Sequence, residues 1–151
     1  MPSAREGLAL GPARPDDAEQ LFNWRSDPVA RAMSFDQRPI SWPAHAAWFG
    51  RKLADRDTLI YILEVDGLPV GQIRFDFESQ EAVLSYSVDR LVRGRGWGIW
   101  LITAGMNELA RRHPARVRAA VKPENWASRK TFTKLAWSES AVDGQIVFHS
   151  P

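Results

Sequence analysis

The chain has 151 residues, 20 basic against 18 acidic for a formal net charge of +2, with 44% apolar and 25% charged residues and no cysteine. That length suits a single domain spanning 1–151, and the composition is that of a folded globule rather than a disordered chain. The missing cysteine excludes thiol nucleophiles, disulfides and zinc–thiolate centres, and the net charge is too small to imply a surface that coats a polyanion, although basic residues bunch at 90–95 and 111–118 and fit a local anion site. No apolar run reaches the length of a membrane span, and the opening MPSAREGLAL lacks the basic start and apolar core of a signal peptide. A cytoplasmic protein with no membrane or nucleic-acid partner is expected, with some of its seven tryptophans lining a cleft.

GLALGPAR, residues 7–14, reads as a short first strand. In PDDAEQLFNWRSDP, Asp16 or Asp17 can cap a helix carrying Ala18, Leu21 and Phe22 at helical spacing, and Asp27-Pro28 restarts a second short turn. Ser41 can cap WPAHAAWFGRKLA, where Trp42, Ala46, Phe49 and Leu53 form one apolar stripe. From residue 58 the period changes to two. TLIYILEVD and PVGQIRFDFE read as antiparallel strands joined at Asp66-Gly67, and EAVLSYSVD follows as a third. The next helix places Ile99, Ile102, Met106 and Leu109 on one side and ends at His113-Pro114. ARVRAAVKP is a strand, ENWASRKTFTKLAW a helix, and GQIVFH a closing strand after Asp143-Gly144. The order is strand, helices, three-strand meander, helix, strand, helix, strand, an α/β chain built on a mixed sheet with one parallel crossover.

The segment RGRGWG, residues 93–98, places Gly94, Gly96 and Gly98 between a strand and a helix. Its amides can converge on a pyrophosphate at the helix N-terminus while Arg93 and Arg95 add charge. A dinucleotide fingerprint needs another glycine spacing and a P-loop needs Lys before Ser or Thr, and neither is present. The spacing of Arg93, Gly96 and Gly98 resembles the Q/R-x-x-G-x-G/A acetyl-CoA loop of the GNAT N-acetyltransferases. VKPENWASRKTFTKLAW, residues 121–137, resembles that family's late strand and helix, with Asn125 and Ser128 where relatives touch the pantetheine arm or order its helix. The order of elements over residues 7–149 agrees with this resemblance.

The resemblance implies the acyl-CoA N-acyltransferase fold, a mostly antiparallel sheet with a V-shaped opening between its fourth and fifth strands, here Val83–Val88 and Val117–Val121. It implies acetyl-CoA as co-substrate, held by Arg93, Gly94, Arg95, Gly96, Trp97 and Gly98, with Val88 as backbone partner of the pantetheine arm and no metal. Many relatives carry a tyrosine in the late helix that protonates the leaving thiolate, and the matching residue here is Phe132. Tyr86 lies two residues before Val88, on the same face of its strand, and is the candidate acid, with a core aromatic as the other reading. Glu81 could serve as a base but points to the opposite face.

FNWRSDP and ISWPAHAAWF resemble the pseudaminic-acid-pathway acetyltransferases, which acetylate the 4-amino group of a UDP-linked deoxy-amino-sugar. That resemblance puts Arg25 and His45 on the nucleotide part of the substrate, although Arg25 can equally be an exposed helix-end charge and His45 a structural histidine. Gln72 and Arg74 share one face of a meander strand and could point into the same cleft. The favoured function is acetylation of a primary amine on a nucleotide-linked sugar. The alternatives are acetylation of a protein N-terminus, as in the ribosomal-protein acetyltransferases, and a non-catalytic acyl-CoA-binding domain. Monomer and homodimer are both open.

Overall fold

A computed structural model of the protein describes residues 7–151. Residues 1–6, where the opening was read as lacking a signal peptide, lie outside the described residues. The strands are β1 (Leu8–Pro12), β2 (Thr58–Val65), β3 (Leu68–Glu78), β4 (Glu81–Val88), β5 (Arg116–Val121), β6 (Ser138–Val142) and β7 (Gln145–His149). The helices are α1 (Ala18–Ser26), α2 (Pro28–Ala32), α3 (Trp42–Ala54), α4 (Trp97–Arg112) and α5 (Trp126–Lys134). One seven-stranded sheet runs in the order β1-β2-β3-β4-β5-β7-β6. Every neighbouring pair is antiparallel except β4 and β5, which are joined by the α4 crossover.

Local chemistry accounts for most boundaries. The Asp27 carboxylate accepts the Ala30 amide at 3.0 Å, and Ser41 Oγ accepts the Ala44 amide at 3.3 Å, so both helices start where a short polar side chain can satisfy a free N–H. Asp66 and Gly67 take φ of 53° and 82°, and Asp143 and Gly144 take 50° and 78°, the left-handed pairs that a tight two-residue hairpin needs. Asp17 behaves differently from the expected cap. A 3₁₀ turn at Pro15–Asp17 already holds it in helical geometry, and its carboxylate turns back to the Arg14 amide at 2.7 Å.

Two elements depart from the sequence reading. β6 was not anticipated: all five of its residues are exposed on the sheet edge, so it carries no alternation of polarity to detect. The buried face of α4 is Trp97, Leu101, Ile102, Gly105 and Leu109, which keeps Ile102 and Leu109 of the expected stripe and leaves Ile99 and Met106 only half-buried. Gly105 explains the rotation. A Cβ there would lie 2.7 Å from Ile73 Cδ1, so the helix approaches the sheet through a residue that a hydrophobic pattern does not count.

The sheet separates two apolar layers. Ile73, Phe75, Leu84, Leu101, Ile102, Phe132 and Phe148 pack between one face and α4 and α5, while Leu21, Trp24, Phe49, Ile60 and Ile62 pack beneath α1 and α3 on the other. β4 and β5 are in register only where Glu81–Val83 face Arg116–Arg118. Beyond that point β4 stays on β3 as far as the Gly71–Val88 pair, and β5 stays on β7 as far as Val121–Ile146. The two strands therefore diverge into a V. Among the described residues no helix is long and apolar enough to cross a membrane.

Candidate active site

The glycine loop lies at the mouth of the V and opens α4. Gly94 and Gly96 have φ of 77° and 82°, and Gly96 is the residue that caps the sixteen-residue helix. A side chain at either position would be strained in that left-handed backbone. Gly98 has a different role. It sits in the first turn, where a Cβ would be 3.5 Å from Tyr86 Cε2 and 3.7 Å from Thr131 Cγ2, ordinary contact at the floor of the opening. The amides of Trp97, Gly98 and Ile99 are first-turn donors with no partner inside the helix, and the helix dipole adds positive potential there. Free amides at a helix start can accept an anion. The Trp97 indole takes no part in it, being buried in the core where it anchors the helix start. Arg95 is exposed.

Val88 ends the free edge of β4. The Asp89 amide donates to the Val70 carbonyl at 2.8 Å, toward β3, so by alternation the Val88 N–H and C=O face the opening. Arg93 occupies that carbonyl: its Nε donates to Val88 O at 3.1 Å and its Nη2 to Asp27 Oδ2 at 2.9 Å. The guanidinium expected to add charge beside a pyrophosphate is thus turned into the protein. An opposed carboxylate at the α1–α2 junction holds it there.

The floor of the V joins two residues singled out separately in the sequence. Tyr86 Oη lies 2.8 Å from Ser128 Oγ, linking β4 to α5, and the tyrosine ring stands edge-on to Phe132 with centroids 5.9 Å apart. Burial pushes the Tyr86 phenol above its usual range, against hydrogen bonds from Ser128 and Thr131 that pull it down, so it remains protonated at neutral pH. Asn125 caps α5, its side chain accepting the Ser128 amide at 3.2 Å. Phe132 is fully buried against Trp137 and Phe148 and has no polar atom to offer.

On the opposite face of the sheet, Gln72 Nε2 donates to Ser87 Oγ at 3.1 Å and Arg74 Nη2 to Ser85 Oγ at 3.5 Å. These two serines lie on the stretch of β4 that has left β5. The guanidinium carbons of Arg25 and Arg74 lie 5.0 and 5.1 Å from the centre of the Trp48 ring, so α1, α3 and β3 place two cations on one indole. Arg74 also pairs with Asp76 at 2.7 Å. Partial burial and then the charge of Arg74 lower the Arg25 proton affinity, with Asp36 opposing them.

His45 is not on this surface. Its ring is fully buried among Phe22, Trp42, Trp48 and Phe49, with Nε2 3.0 Å from the Ala18 carbonyl, so it ties α3 to the start of α1 and cannot reach a nucleotide. Glu81 is remote from the wide end of the V, where it faces Arg118 at 3.6 Å. Sequence reasoning missed Trp48, Asp27, Asp89 and Lys122. Trp24 Nε1 donates to Asp89 Oδ2 at 2.8 Å and Lys122 Nζ to the Ala32 carbonyl at 3.2 Å, so α1 and α2 are fastened to the ends of both diverging strands. Only the excess of tryptophan hinted at any of these. Among the described residues no group of three or more His, Cys, Asp or Glu side chains could hold a metal ion.

The family model described as acetyltransferase (GNAT) domain matches residues 8–137, most of the chain. A search of curated proteins found no match. Among solved structures, a spermidine N-acetyltransferase from Vibrio cholerae in complex with CoA and spermine is similar with a TM-score of 0.83 at 12% identity, covering 96% of this chain and 94% of that one. A ribosomal L7/L12 α-N-protein acetyltransferase in complex with coenzyme A gives 0.81 at 16% identity, covering 96% and 94%. An N-acetyltransferase from Staphylococcus aureus Mu50 gives 0.80 at 18% identity, covering 94% and 96%. At such identities the structural likeness carries the fold alone, while the family match rests on the sequence itself. With its glycine cradle beneath a diverging strand pair, the chain belongs to the GNAT acetyltransferases and is an N-acetyltransferase that uses acetyl-CoA as co-substrate.

Proposed function

We propose that the chain acetylates a primary amine on an anionic acceptor, a UDP-linked amino-deoxy-sugar. The observation that carries this reading is the pair of guanidinium groups, Arg25 and Arg74, on Trp48. Together with Gln72, Ser85 and Ser87 they form a polar, cationic surface on the side of the V opposite Tyr86. A diphosphate suits the planar, multidentate donors of arginine, and the indole offers a flat apolar face to a base or sugar ring. The carboxylates nearby are engaged: Asp76 with Lys52 and Arg74, Asp27 with Arg93, and Asp89 with Trp24 and the Leu91 amide. Lys52 and Arg74 share the one carboxylate of Asp76, and Asp36, which faces Arg25, is itself paired with Arg38, so a polycationic amine would meet a net positive charge here.

The chemistry follows from the two faces. The same cations lower the proton affinity of a nearby ammonium, so the acceptor amine gives its proton to solvent and attacks as the free base. Its lone pair forms the C–N bond at the thioester carbonyl, whose oxygen takes up charge opposite the Val88 N–H. The C–S bond then breaks, the nitrogen releases its second proton to solvent, and the sulfur takes a proton from Tyr86, which recovers one from solvent, or from water in its place. Direct attack needs no acyl-enzyme, in keeping with the missing cysteine.

A competition assay tests the acceptor. The enzyme is given acetyl-CoA with a UDP-linked 4-amino-4,6-dideoxy-sugar, with peptides beginning in Ser or Ala, and with spermidine. Turnover of the sugar nucleotide, inhibited by UDP, is expected. Efficient acetylation of the peptides with none of the sugar nucleotide would establish the N-terminal alternative instead.

A further inference from the structure

We infer that Arg93 is a positioning residue that couples occupancy of the acetyl-CoA loop to the acceptor-side helices α1 and α2. Arg93 is the first residue of the glycine loop, three positions before the cap of α4. Its side chain does not follow the loop amides toward the anion cradle. It crosses to Asp27, 66 residues earlier in the chain, and on the way takes the Val88 carbonyl at the end of β4. One guanidinium thereby joins the cofactor loop, the strand end that faces the thioester, and the junction of α1 with α2.

The partner is also tied in place. Asp27 Oδ2 accepts the Ala30 amide as well as Arg93 Nη2, so the same oxygen that receives the guanidinium starts α2. Burial raises the Asp27 proton affinity, but the Ala30 amide and Arg93 outweigh it and leave the carboxyl below its usual range. The carboxylate is ionised at neutral pH, and the ion pair is intact there. Asp89 gives the segment a second attachment: it caps the turn Arg90–Val92 that leads into Arg93, and accepts the Trp24 indole N–H from α1. Both ends of residues 89–93 therefore grip the acceptor-side helices.

The loop backbone is the part of the molecule that an anion must immobilise. Fixing Gly94 and Gly96 around a diphosphate fixes the base of the Arg93 side chain, and a fixed guanidinium holds Asp27 and α2 more firmly than a fluctuating one. α2 has only five residues, too few to hold a helix by themselves, so its order depends on such external ties. The consequence is an acceptor surface that is better formed when acetyl-CoA is bound. This does not depend on which amine is acetylated.

The test uses CoA alone as ligand and hydrogen–deuterium exchange as readout. In the wild-type protein, saturating CoA is expected to slow exchange at residues 18–32 as well as at 93–99. In Arg93→Ala, CoA should still bind, with a dissociation constant within about threefold of wild type, and should still protect 93–99, but protection of 18–32 should be lost. Arg93→Lys should restore part of it. Asp27→Asn, which keeps a cap acceptor for Ala30 while removing the charge, should reproduce the Arg93→Ala pattern and supplies the test should Arg93→Ala fail to fold. Kinetically, both variants should raise the KM of whichever amine is turned over while leaving that of acetyl-CoA nearly unchanged. The inference is overturned if CoA does not alter exchange at 18–32 in the wild type, or protects it equally in the variants. It is also overturned if Arg93→Ala weakens CoA tenfold or more, which would make Arg93 a ligand of the pyrophosphate. Failure of the sugar-nucleotide assay bears on the acceptor and leaves these measurements unaffected.

Discussion

His45 and Tyr86 show how much a single side chain's role depends on its surroundings. Both are polar aromatics beside an apolar stripe in the sequence, and both admit a structural and a functional reading there. Burial lowers the His45 pKa first and the Arg25 charge lowers it further, against the Ala18 contact, so the ring is neutral in the fold. The unfolded chain gains a proton near pH 6.5 whereas the folded protein does so only at lower pH. His45 therefore destabilises the fold as pH falls below that value, down to its folded pKa, and costs nothing above it. Urea denaturation followed from pH 8 to pH 5 should show this slope in the wild type and a flatter one in His45→Phe. That variant should lose on the order of 1 kcal/mol at pH 8 with the Ala18 contact, and bind acceptor normally. For Tyr86 the decisive substitution is Tyr86→Phe, which keeps the ring against Phe132 and deletes the hydroxyl at Ser128. An acid role predicts a fall of about a hundredfold in the acetyl-transfer rate with little change in CoA binding. A role confined to tying β4 to α5 predicts a loss of about 1 kcal/mol in stability and a near-wild-type rate.

At the scale of elements, the parts visible in the sequence are those where local chemistry and packing agree. The cap at Ser41, the hairpin turn at Asp66-Gly67 and the glycine loop are local geometric requirements, and the residues that meet them are adjacent in the chain. β6 could not be read because an exposed edge strand imposes no pattern on its side chains. The face of α4 was read only in part, with Ile102 and Leu109 placed correctly, because Gly105 contributes closeness rather than hydrophobic mass. The glycine loop gives the sharpest prediction at this scale. Gly96 has φ of 82° at the cap of α4, where a β-branched residue is a conformational outlier. Gly96→Val must rearrange the amides that the cradle presents, so calorimetry should show CoA bound at least tenfold more weakly while the far-UV spectrum is unchanged. Retained affinity in a correctly folded Gly96→Val protein would remove the pyrophosphate from this loop.

Across the whole molecule, the sheet works as a partition: α4, α5 and Tyr86 lie on one face, and α1, α2, α3 and the two arginines on the other, with the V as the passage between them. The glycine loop before α4 was legible because its residues are contiguous, whereas the fastening of α1 and α2 to the end of β4 joins positions 65 and 66 residues apart that only the topology brings together. Its electrostatics yield a prediction that separates acceptor classes. If Arg25 and Arg74 clasp a diphosphate beside Trp48, Arg25→Ala should weaken a UDP-amino-sugar by ten- to a hundredfold, a charge-assisted contact contributing about 1.5–3 kcal/mol, and leave acetyl-CoA binding nearly unchanged. Binding of UDP alone should weaken as salt is raised from 50 to 500 mM, because Arg25 is exposed and open to screening, and the salt dependence should be shallower in Arg25→Ala. A neutral peptide N-terminus would show neither effect. A polyamine would respond with the opposite sign, binding better once a repelling cation is removed, so the direction of the Arg25→Ala change in acceptor affinity distinguishes the three.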